Sequence, residues 1–577
     1  MNTIEPTICS LFLETVEKYA DKIAISYKKG DIFEEMPYKR LKNLVGNFVL
    51  TFEHFGVKKG DRIILLSENR PEWIIVDLAN LFIGAITVPI HKILSSIQIM
   101  QIIDEIEPRL IIVSDREALE KILEIESVKS KKIDVIFLES ILEKEKELIK
   151  KFKGQHFINS LQLIGHYHTG TELEEKAKQI KPEDDASIIY TSGTTGHPKG
   201  AILTHKNFVS NALTLVETVG VFPEDRFLSV LPLSHVFERT TGYYVPLFSG
   251  SSISYIEDVT RVSEFAKEEK PTIIIAVPRL YEKIYEKIYE KVSESAFKKA
   301  LFLKAVEYGK VKENRSKFLY KLYDLLVFKK IKDNFGGDVR FFVSGGASLA
   351  KWLGEFFDSI GTPVLEGYGL TETAPVIACN CLDNYRFGTV GQVLKGLSVK
   401  LSADNEILVK GPSVMRGYFK DEESTRKDLS ANGWFKTGDL GKLDEEGFLS
   451  IIGRKKEVLV LTTGKKIFPV VVEEACEKHP YVSQCLVFGD GYKHIGAIIV
   501  PTEIAEKELG EKIEEGIGKI LNEQLKEFSK IEQIKKFIIS PEPFTVENGL
   551  LTITLKLRRN QILEKFEDKV EYIYKIK

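Results

Sequence analysis

The sequence predicts an α/β fold with largely parallel sheets, divided into more than one domain. Three observations carry that expectation. Short runs rich in β-branched residues alternate with amphipathic stretches, the pattern left by strands joined through crossover helices. The chain has 577 residues, more than one hydrophobic core ordinarily organises. Its 43% apolar and 29% charged residues fit a folded chain rather than a disordered one.

Taken in order, the N-terminal stretch "MNTIEPTICSLFLETVEKYADK" carries acids where a signal peptide carries Lys or Arg, and it has no long apolar core. "DRIILLS" then predicts a strand. The most hydrophobic window, Trp73 to Ile90, is interrupted by Asp77, Asn80, Gly84 and Pro89. It therefore predicts a buried helix leading into a strand, not a membrane span. "RLIIVSD", "DVIFLES", "RFLSVLPL" and "SSISYIE" continue the alternation to about Glu257. From Val277 to Phe335 the pattern turns helical. "VPRLYEKIYEKIYEKV" repeats every four residues and sets Tyr281, Tyr285 and Tyr289 on one stripe, where packing is the expectation.

After Phe335 strands and turns resume with "VRFFVSGGASLA", "PVLEGYGLTET" and "EILVKGPSVMRGYF". The charged turn "GRKKE", Gly453 to Glu457, precedes a smaller segment with strands at "CLVFGD", "HIGAIIVP" and "KKFIIS" and a charged amphipathic helix over about 504–530. This places a large domain at 1–453 and a small one at 454–577, with no low-complexity linker between them.

Several function classes are disfavoured. Lys and Arg number 81 against 84 acids, a net charge of -3, which gives no electrostatic reason to expect nucleic acid. The five cysteines make no disulfide framework, and the one close pair, Cys379 and Cys381, lacks the spacing of a zinc site. His166, His168 and Glu172 match no ligand spacing and read as a polar loop. A reduced, cytoplasmic protein is expected. Any membrane attachment is expected to be peripheral, at the inner face.

The stretch "SIIYTSGTTGHPKG", Ser187 to Gly200, has the composition of an anion-binding loop. Glycines let backbone N–H groups approach a phosphate, hydroxyls add donors and a lysine adds charge. It is not a Walker A loop, because the spacing from Gly193 through Gly196 to Lys199 fails and Gly200 follows the lysine. Alone, it is equally a flexible surface loop.

It is followed in order by "LPLSHVFE", "VSGGA", "EGYGLTET", "NGWFKTGDLG" and "GRKKE". With these the sequence resembles the adenylate-forming superfamily of acyl-CoA synthetases, peptide-synthetase adenylation domains and beetle luciferases. The resemblance runs nearly end to end. "LPLSHVFERT", "VPRLYEKI", "GRKKEVLV" and "TLKLRRN" are most similar to the long-chain fatty acyl-CoA synthetases. It implies a large N-terminal domain of mixed and parallel sheets flanked by helices, with a β-rich subdomain, and a small mobile α+β C-terminal domain.

The chemistry implied has two halves. A carboxylate attacks the α-phosphate of ATP and releases pyrophosphate; the thiol of CoA then displaces AMP. By resemblance, Ser192, Gly193, Thr194, Thr195, Gly196 and Lys199 hold the β- and γ-phosphates, and Thr191 and Glu372 serve Mg²⁺. Gly345, Gly346 and Ala347, with Gly367, Tyr368 and Gly369, form the adenine slot, and Thr371 meets the α-phosphate. Asp439 and Arg454 take the ribose, and His235 lies on the substrate side without acting as a general base. Lys556 is the adenylation lysine, although Leu555 stands where many relatives have glycine. The alternation of Leu551, Ile553, Leu555 and Leu557 with Thr552, Thr554, Lys556 and Arg558, if strand-like, sets it on the polar face. Lys456 is the hinge.

"VLVLTTGKKIFP" departs from the common form, so no residue is assigned to CoA. Medium-chain or aryl acids, or a carrier protein in place of CoA, remain open within this chemistry. So does a homodimer. A non-catalytic nucleotide-binding protein is the rival of a different class, and the presence of Thr191, Glu372, Asp439, Arg454 and Lys556 together argues against it.

Overall fold

The computed structural model describes residues 5–29, 32–131, 133–138, 157–159, 171–191, 198–256, 261–312, 316–552 and 556–575. Two large sheets dominate it. The first has nine strands in the order Gln392–Val393, Val376–Cys379, Val364–Gly369, Phe341–Ser344, Ile273–Ala276, Arg226–Ser229, Ser252–Tyr255, Ile23–Lys29 and Ile32–Pro37. From Val364–Gly369 to Ile23–Lys29 the neighbours run parallel, and antiparallel strands close both edges.

The second has eight strands: Gly417–Tyr418, Lys199–Thr204, Asp185–Thr191, Ile86–Ile90, Arg62–Leu66, Leu110–Val113, Asp134–Phe137 and Phe157–Asn159. It is parallel from Asp185–Thr191 onward and antiparallel at the other edge. Ile63, Ile64, Leu65 and Leu66 are all fully buried, as expected of a parallel strand covered on both faces. An antiparallel four-stranded sheet, Ser398–Leu401, Glu406–Lys410, Phe435–Leu443 and Leu449–Arg454, follows. Beyond it, Val482–Phe488, Gly496–Pro501 and Lys536–Ile539 form a smaller sheet with apolar clusters of its own.

In open α/β sheets ligands bind beyond the carboxyl ends of the strands. Here Ser229, Ala276, Ser344 and Gly369 end strands of the first sheet, and Ile90 and Thr191 end strands of the second. A buried ion pair fixes one set against the other. Arg239, in the π-helical turn Glu238–Tyr244, pairs with Asp77 on the helix Pro71–Ile83, and both side chains are wholly buried. Arg239 also donates to Ser187 Oγ at 2.6 Å and to the Tyr244 hydroxyl at 3.2 Å, and Tyr244 donates to Asp77 at 2.8 Å. Removing one partner of such a pair costs about 3–5 kcal/mol, because the other charge is left buried. The network holds the strand that ends at Thr191 in fixed relation to the segment carrying His235.

The window Trp73 to Ile90 is the expected helix, Pro71–Ile83, and strand, Ile86–Ile90. Among the described residues no helix is long and apolar enough to cross a membrane. The tyrosine stripe packs: Tyr281 is fully buried and donates to Val343 O at 2.7 Å, and Tyr285 meets Trp352 and Phe356 edge-on. Cys379 and Cys381 are free thiols. His166 and His168 lie outside the described residues.

Two expectations are corrected. The helix over about 504–530 is broken into Glu503–Leu509 and Ile513–Gln524, where Gly510 takes φ 50° and opens a 3₁₀ turn. The alternation from Leu551 to Leu557 is not a straight strand. Leu551 bridges Leu557, and Thr552 N–H donates to Lys556 O at 2.8 Å, so the chain doubles back.

Candidate active site

The loops beyond the strand ends converge on a cleft between the large sheets and the C-terminal segment. Ser344 closes its strand, and Gly346 follows at φ 84°, a left-handed conformation glycine takes without steric cost. The buried Glu366 carboxyl accepts Leu349 N–H at 3.0 Å and so holds this loop against the neighbouring strand. Gly369 admits no side chain, since a Cβ there would lie 1.9 Å from Pro375 O. Gly345, Gly346 and Ala347, just past the end of one strand, thus stand beside Gly367, Tyr368 and Gly369 at the end of the adjacent parallel strand. Ser344 Oγ is buried and has no hydrogen-bond partner among the described residues.

Tyr368 donates to Asp439 Oδ2 at 2.8 Å, and Arg454 Nε lies 3.2 Å from Asp439 Oδ1. Asp439 and Arg454 face each other across paired antiparallel strands. Burial raises the Asp439 pKa, while the Arg454 charge and the Tyr368 hydroxyl act against that rise. This three-membered cluster brings together residues from distant motifs.

Lys556 reaches the same cleft from the C-terminal segment. Its backbone N–H donates to Thr552 Oγ1 at 3.0 Å. Three residues on, Arg559 pairs with Glu473 and lies 3.4 Å from Glu457, which anchors the doubled-back segment to the turn after Arg454. The Lys556 side chain still meets solvent, but the cleft surrounds it. Lost hydration and then the Arg454 charge lower its pKa to about 8, against the pull of Asp439 and Glu457. Its charge in turn acts on Asp439 and His235.

His235 follows the strand Arg226–Ser229 and accepts Phe237 N–H on Nδ1 at 3.2 Å. Burial first, then the charges of Lys556 and His91, bring its pKa down to about 4. The ring is therefore neutral near neutrality. With Nδ1 accepting, its proton sits on Nε2.

A second group lies where the edge strands of the eight-stranded sheet meet the turn Thr371–Thr373. Thr191 pairs with Lys199 across the hairpin, and its hydroxyl lies 3.4 Å from Lys199 O. Lys199 Nζ sits 4.8 Å from the centre of the Tyr418 ring and 3.9 Å from Asp428. The Tyr418 hydroxyl donates to Glu372 Oε1 at 3.0 Å. Burial raises the Glu372 pKa, with the Tyr418 hydrogen bond opposing. A single carboxylate and a hydroxyl suit Mg²⁺, which keeps several waters and takes the rest of its ligands from phosphates. Ser192, Gly193, Thr194, Thr195 and Gly196 lie outside the described residues.

The residues 12–419 match the family described as "AMP-binding enzyme", and 456–577 match its C-terminal domain. The chain belongs to the AMP-binding enzymes. It is 33% identical over 548 residues to the long-chain-fatty-acid–CoA ligase FadD15 of Mycobacterium bovis, covering 90% of this chain and 89% of that protein. It is 28% identical over 628 residues to the long-chain-fatty-acid–[acyl-carrier-protein] ligase AEE15 of Arabidopsis thaliana, covering 98% and 86%. The fold matches the adenylation domain of a carboxylate reductase from Mycobacterium chelonae with a TM-score of 0.80 at 22% identity, over 99% of this chain and 92% of that one.

In this AMP-binding enzyme the sequence motifs left the roles of four site residues unassigned. Tyr418 and Asp428 surround Lys199, Glu457 faces Lys556, and His91 acts on His235. The short "RGYF" run hinted at Tyr418 and "GRKKE" includes Glu457, while nothing in the sequence ties Asp428 and His91 to the site. An apolar cavity opens behind the cleft. Its lining includes Leu215, Phe237, Val245, Ile275 and Val343, and it reaches Gly367 on the strand that carries Tyr368.

Proposed function

We propose that this enzyme is an ATP-dependent ligase that activates a long-chain fatty acid as its acyl-adenylate, releases pyrophosphate, and passes the acyl group to the thiol of CoA with release of AMP. One observation carries the reading: Lys556, from the C-terminal segment, stands in one cleft with His235, Asp439 and Arg454. The first step sets a carboxylate against a phosphate, anion on anion, so a cation and fixed donors are what it requires. Lys556 supplies the cation. The Nε2–H of neutral His235 supplies a donor to the incoming carboxylate, which is already ionised and needs no base.

Asp439 accepts the ribose hydroxyls with Arg454 beside it, and the turn residues Gly345, Gly346, Ala347, Gly367 and Gly369 flank the adenine with Tyr368. Thr371 meets the α-phosphate. Lys199, with the loop Ser192 to Gly196, holds the leaving pyrophosphate. Thr191 and Glu372 would hold Mg²⁺, which when bound neutralises phosphate charge. The apolar cavity beside Phe237 takes the acyl tail, where burial rather than polar recognition supplies affinity.

The division at Arg454 into 1–453 and 454–577, with Lys456 as the hinge, follows from the same reading. Lys456 lies in the short turn Lys455–Glu457 between the last strand of the four-stranded sheet and the C-terminal segment. Rotation about that turn would withdraw Lys556 and admit CoA.

The test is acid-dependent exchange of labelled pyrophosphate into ATP, followed by CoA-dependent release of AMP. Medium- and long-chain acids should support exchange, and Lys556→Ala should lower it by about 10²–10³-fold while ATP binding persists. Exchange with aryl acids alone would overturn the substrate class. Exchange with no carboxylic acid would overturn the adenylation reading and leave a nucleotide-binding protein. Discharge onto acyl-carrier protein but not CoA would replace the second half-reaction.

A further inference from the structure

The helices Ala296–Lys310 and Lys317–Tyr323, continued by the turn Asp324–Phe328, pack as a hairpin on one face of the nine-stranded sheet. Their inner sides are conventional. Phe302, Ala305, Val327 and Phe328 are buried in the cluster that covers Ile274 and Phe342. Their outer sides are not. Phe318 is 78% exposed and Leu325 61%, with Leu322 and Leu326 also exposed beside them. The spacing from 318 to 322 to 325 and 326 sets these side chains along one outward stripe. Val311, at the adjoining end of the first helix, is exposed as well.

Single exposed leucines are ordinary, but a row of large apolar side chains is not. The charge around this row is equally distinctive. The described residues from 296 to 332 hold ten lysines and two acids, on a chain whose net charge is -3. Lys317, Lys321, Lys329 and Lys330 flank the stripe and are exposed. None of the four has an ion-pair partner among the described residues.

We propose that this hairpin face docks the enzyme on an anionic lipid bilayer. Phe318, Leu322, Leu325 and Leu326 enter the boundary between headgroups and acyl chains while the lysines meet lipid phosphates. An apolar stripe bordered by lysines is how a helix lies in a membrane interface. Charge complementarity decides the occupant. A second copy of the chain on a two-fold axis would set the same lysine-rich face against itself, so like charges would meet. A bilayer offers apolar depth and negative charge together. The proposal rests, for its purpose, on the reading as a fatty-acid ligase, because a long-chain acid partitions into bilayers and would reach a docked enzyme there.

Flotation of the full chain with phosphatidylcholine vesicles, with and without phosphatidylglycerol, tests it. The wild type should float with the anionic vesicles and only weakly with the neutral ones, and added salt should release it. Each lysine near such a surface contributes about fivefold in partition, so losing the four positive charges alone lowers binding on the order of several hundredfold, and reversing Lys317, Lys321, Lys329 and Lys330 to Glu should lower it by at least that much. Phe318→Ser with Leu325→Ser should also release the protein. Both variants should keep pyrophosphate exchange with a soluble acid in vesicle-free buffer. Exchange without flotation would overturn the docking face and leave the ligase reading intact; flotation without exchange would do the reverse. Equal binding to neutral vesicles, or undiminished binding of the lysine-reversed protein, would overturn the proposal. So would a wild-type dimer in light scattering that Phe318→Ser with Leu325→Ser converts to monomer while no vesicle is bound.

Discussion

If Lys556 supplies the cation of adenylation, its ionisation should set the alkaline limit of the first half-reaction. Lost hydration and the Arg454 charge bring its pKa down to about 8, so protonated and neutral forms stand near ten to one at about pH 7 and near one to ten at about pH 9. The rate that depends on the charged form should therefore fall roughly tenfold over that interval. Bound triphosphate favours the ammonium, so the limb seen in kcat should lie at higher pH than the limb seen in kcat/KM for ATP. The linkage to stability has the opposite sign. The folded pKa lies below the unfolded value of 10.5, so the unfolded chain holds the extra proton between them and the ATP-free fold gains stability as pH rises from about 8.

The assay is initial-rate pyrophosphate exchange against pH for the wild type, Lys556→Ala and Lys556→Arg. Losing one preorganised charge contact should cost the alanine variant about 10²–10³-fold. The arginine variant, whatever its absolute rate, should lose the alkaline limb, because a guanidinium stays charged throughout. A wild-type kcat/KM that is flat across the interval, or an identical limb in Lys556→Arg, would refute the assignment.

Two further predictions follow from contacts around this lysine and around Glu372. Arg279 donates to Ser483 O at 2.8 Å and to Ser483 Oγ at 2.7 Å, tying the helix Pro278–Ser293 to the C-terminal sheet in the pose that presents Lys556. Arg279→Ala should slow exchange several-fold while sparing transfer to CoA from supplied acyl-adenylate, measured separately by AMP release; equal loss in both would contradict a role confined to this pose. Tyr418→Phe removes the hydroxyl that fixes Glu372 at 3.0 Å. It should weaken Mg²⁺ by about 1 kcal/mol, or roughly fivefold in half-saturation, with kcat at saturating Mg²⁺ preserved; an unchanged metal titration would sink that role.

How much of this was legible in the sequence depends on the distance over which each feature is determined. The strands were legible because a parallel strand covered on both faces must be a continuous apolar run, as Ile63 to Leu66 is. The window Trp73 to Ile90 resolved into helix and strand because Gly84, at φ 77°, ends the helix. The doubled-back segment at Lys556 is not legible in this way. Alternation of Leu551, Leu557 and the residues between them is compatible with a strand, while the Leu551–Leu557 bridge that folds it is not visible in the pattern.

The site divides in the same way. Asp439 and Arg454 lie on neighbouring antiparallel strands close in sequence, so motif order was enough to place them together. Tyr418 meets Lys199 only because Gly417–Tyr418 adds itself to the edge strand Lys199–Thr204, a pairing between segments more than two hundred residues apart. Its neighbour Glu372 was named from its own motif with no sign of the hydroxyl that orients it. Local spacing can thus identify the residue types the chemistry requires, but the groups that hold those residues in place come from sheet edges and domain contacts. That is why the supporting roles of Tyr418, Asp428, Glu457 and Arg279 emerge only from the fold, and why their substitution should alter half-reactions and metal affinity selectively rather than abolish activity outright.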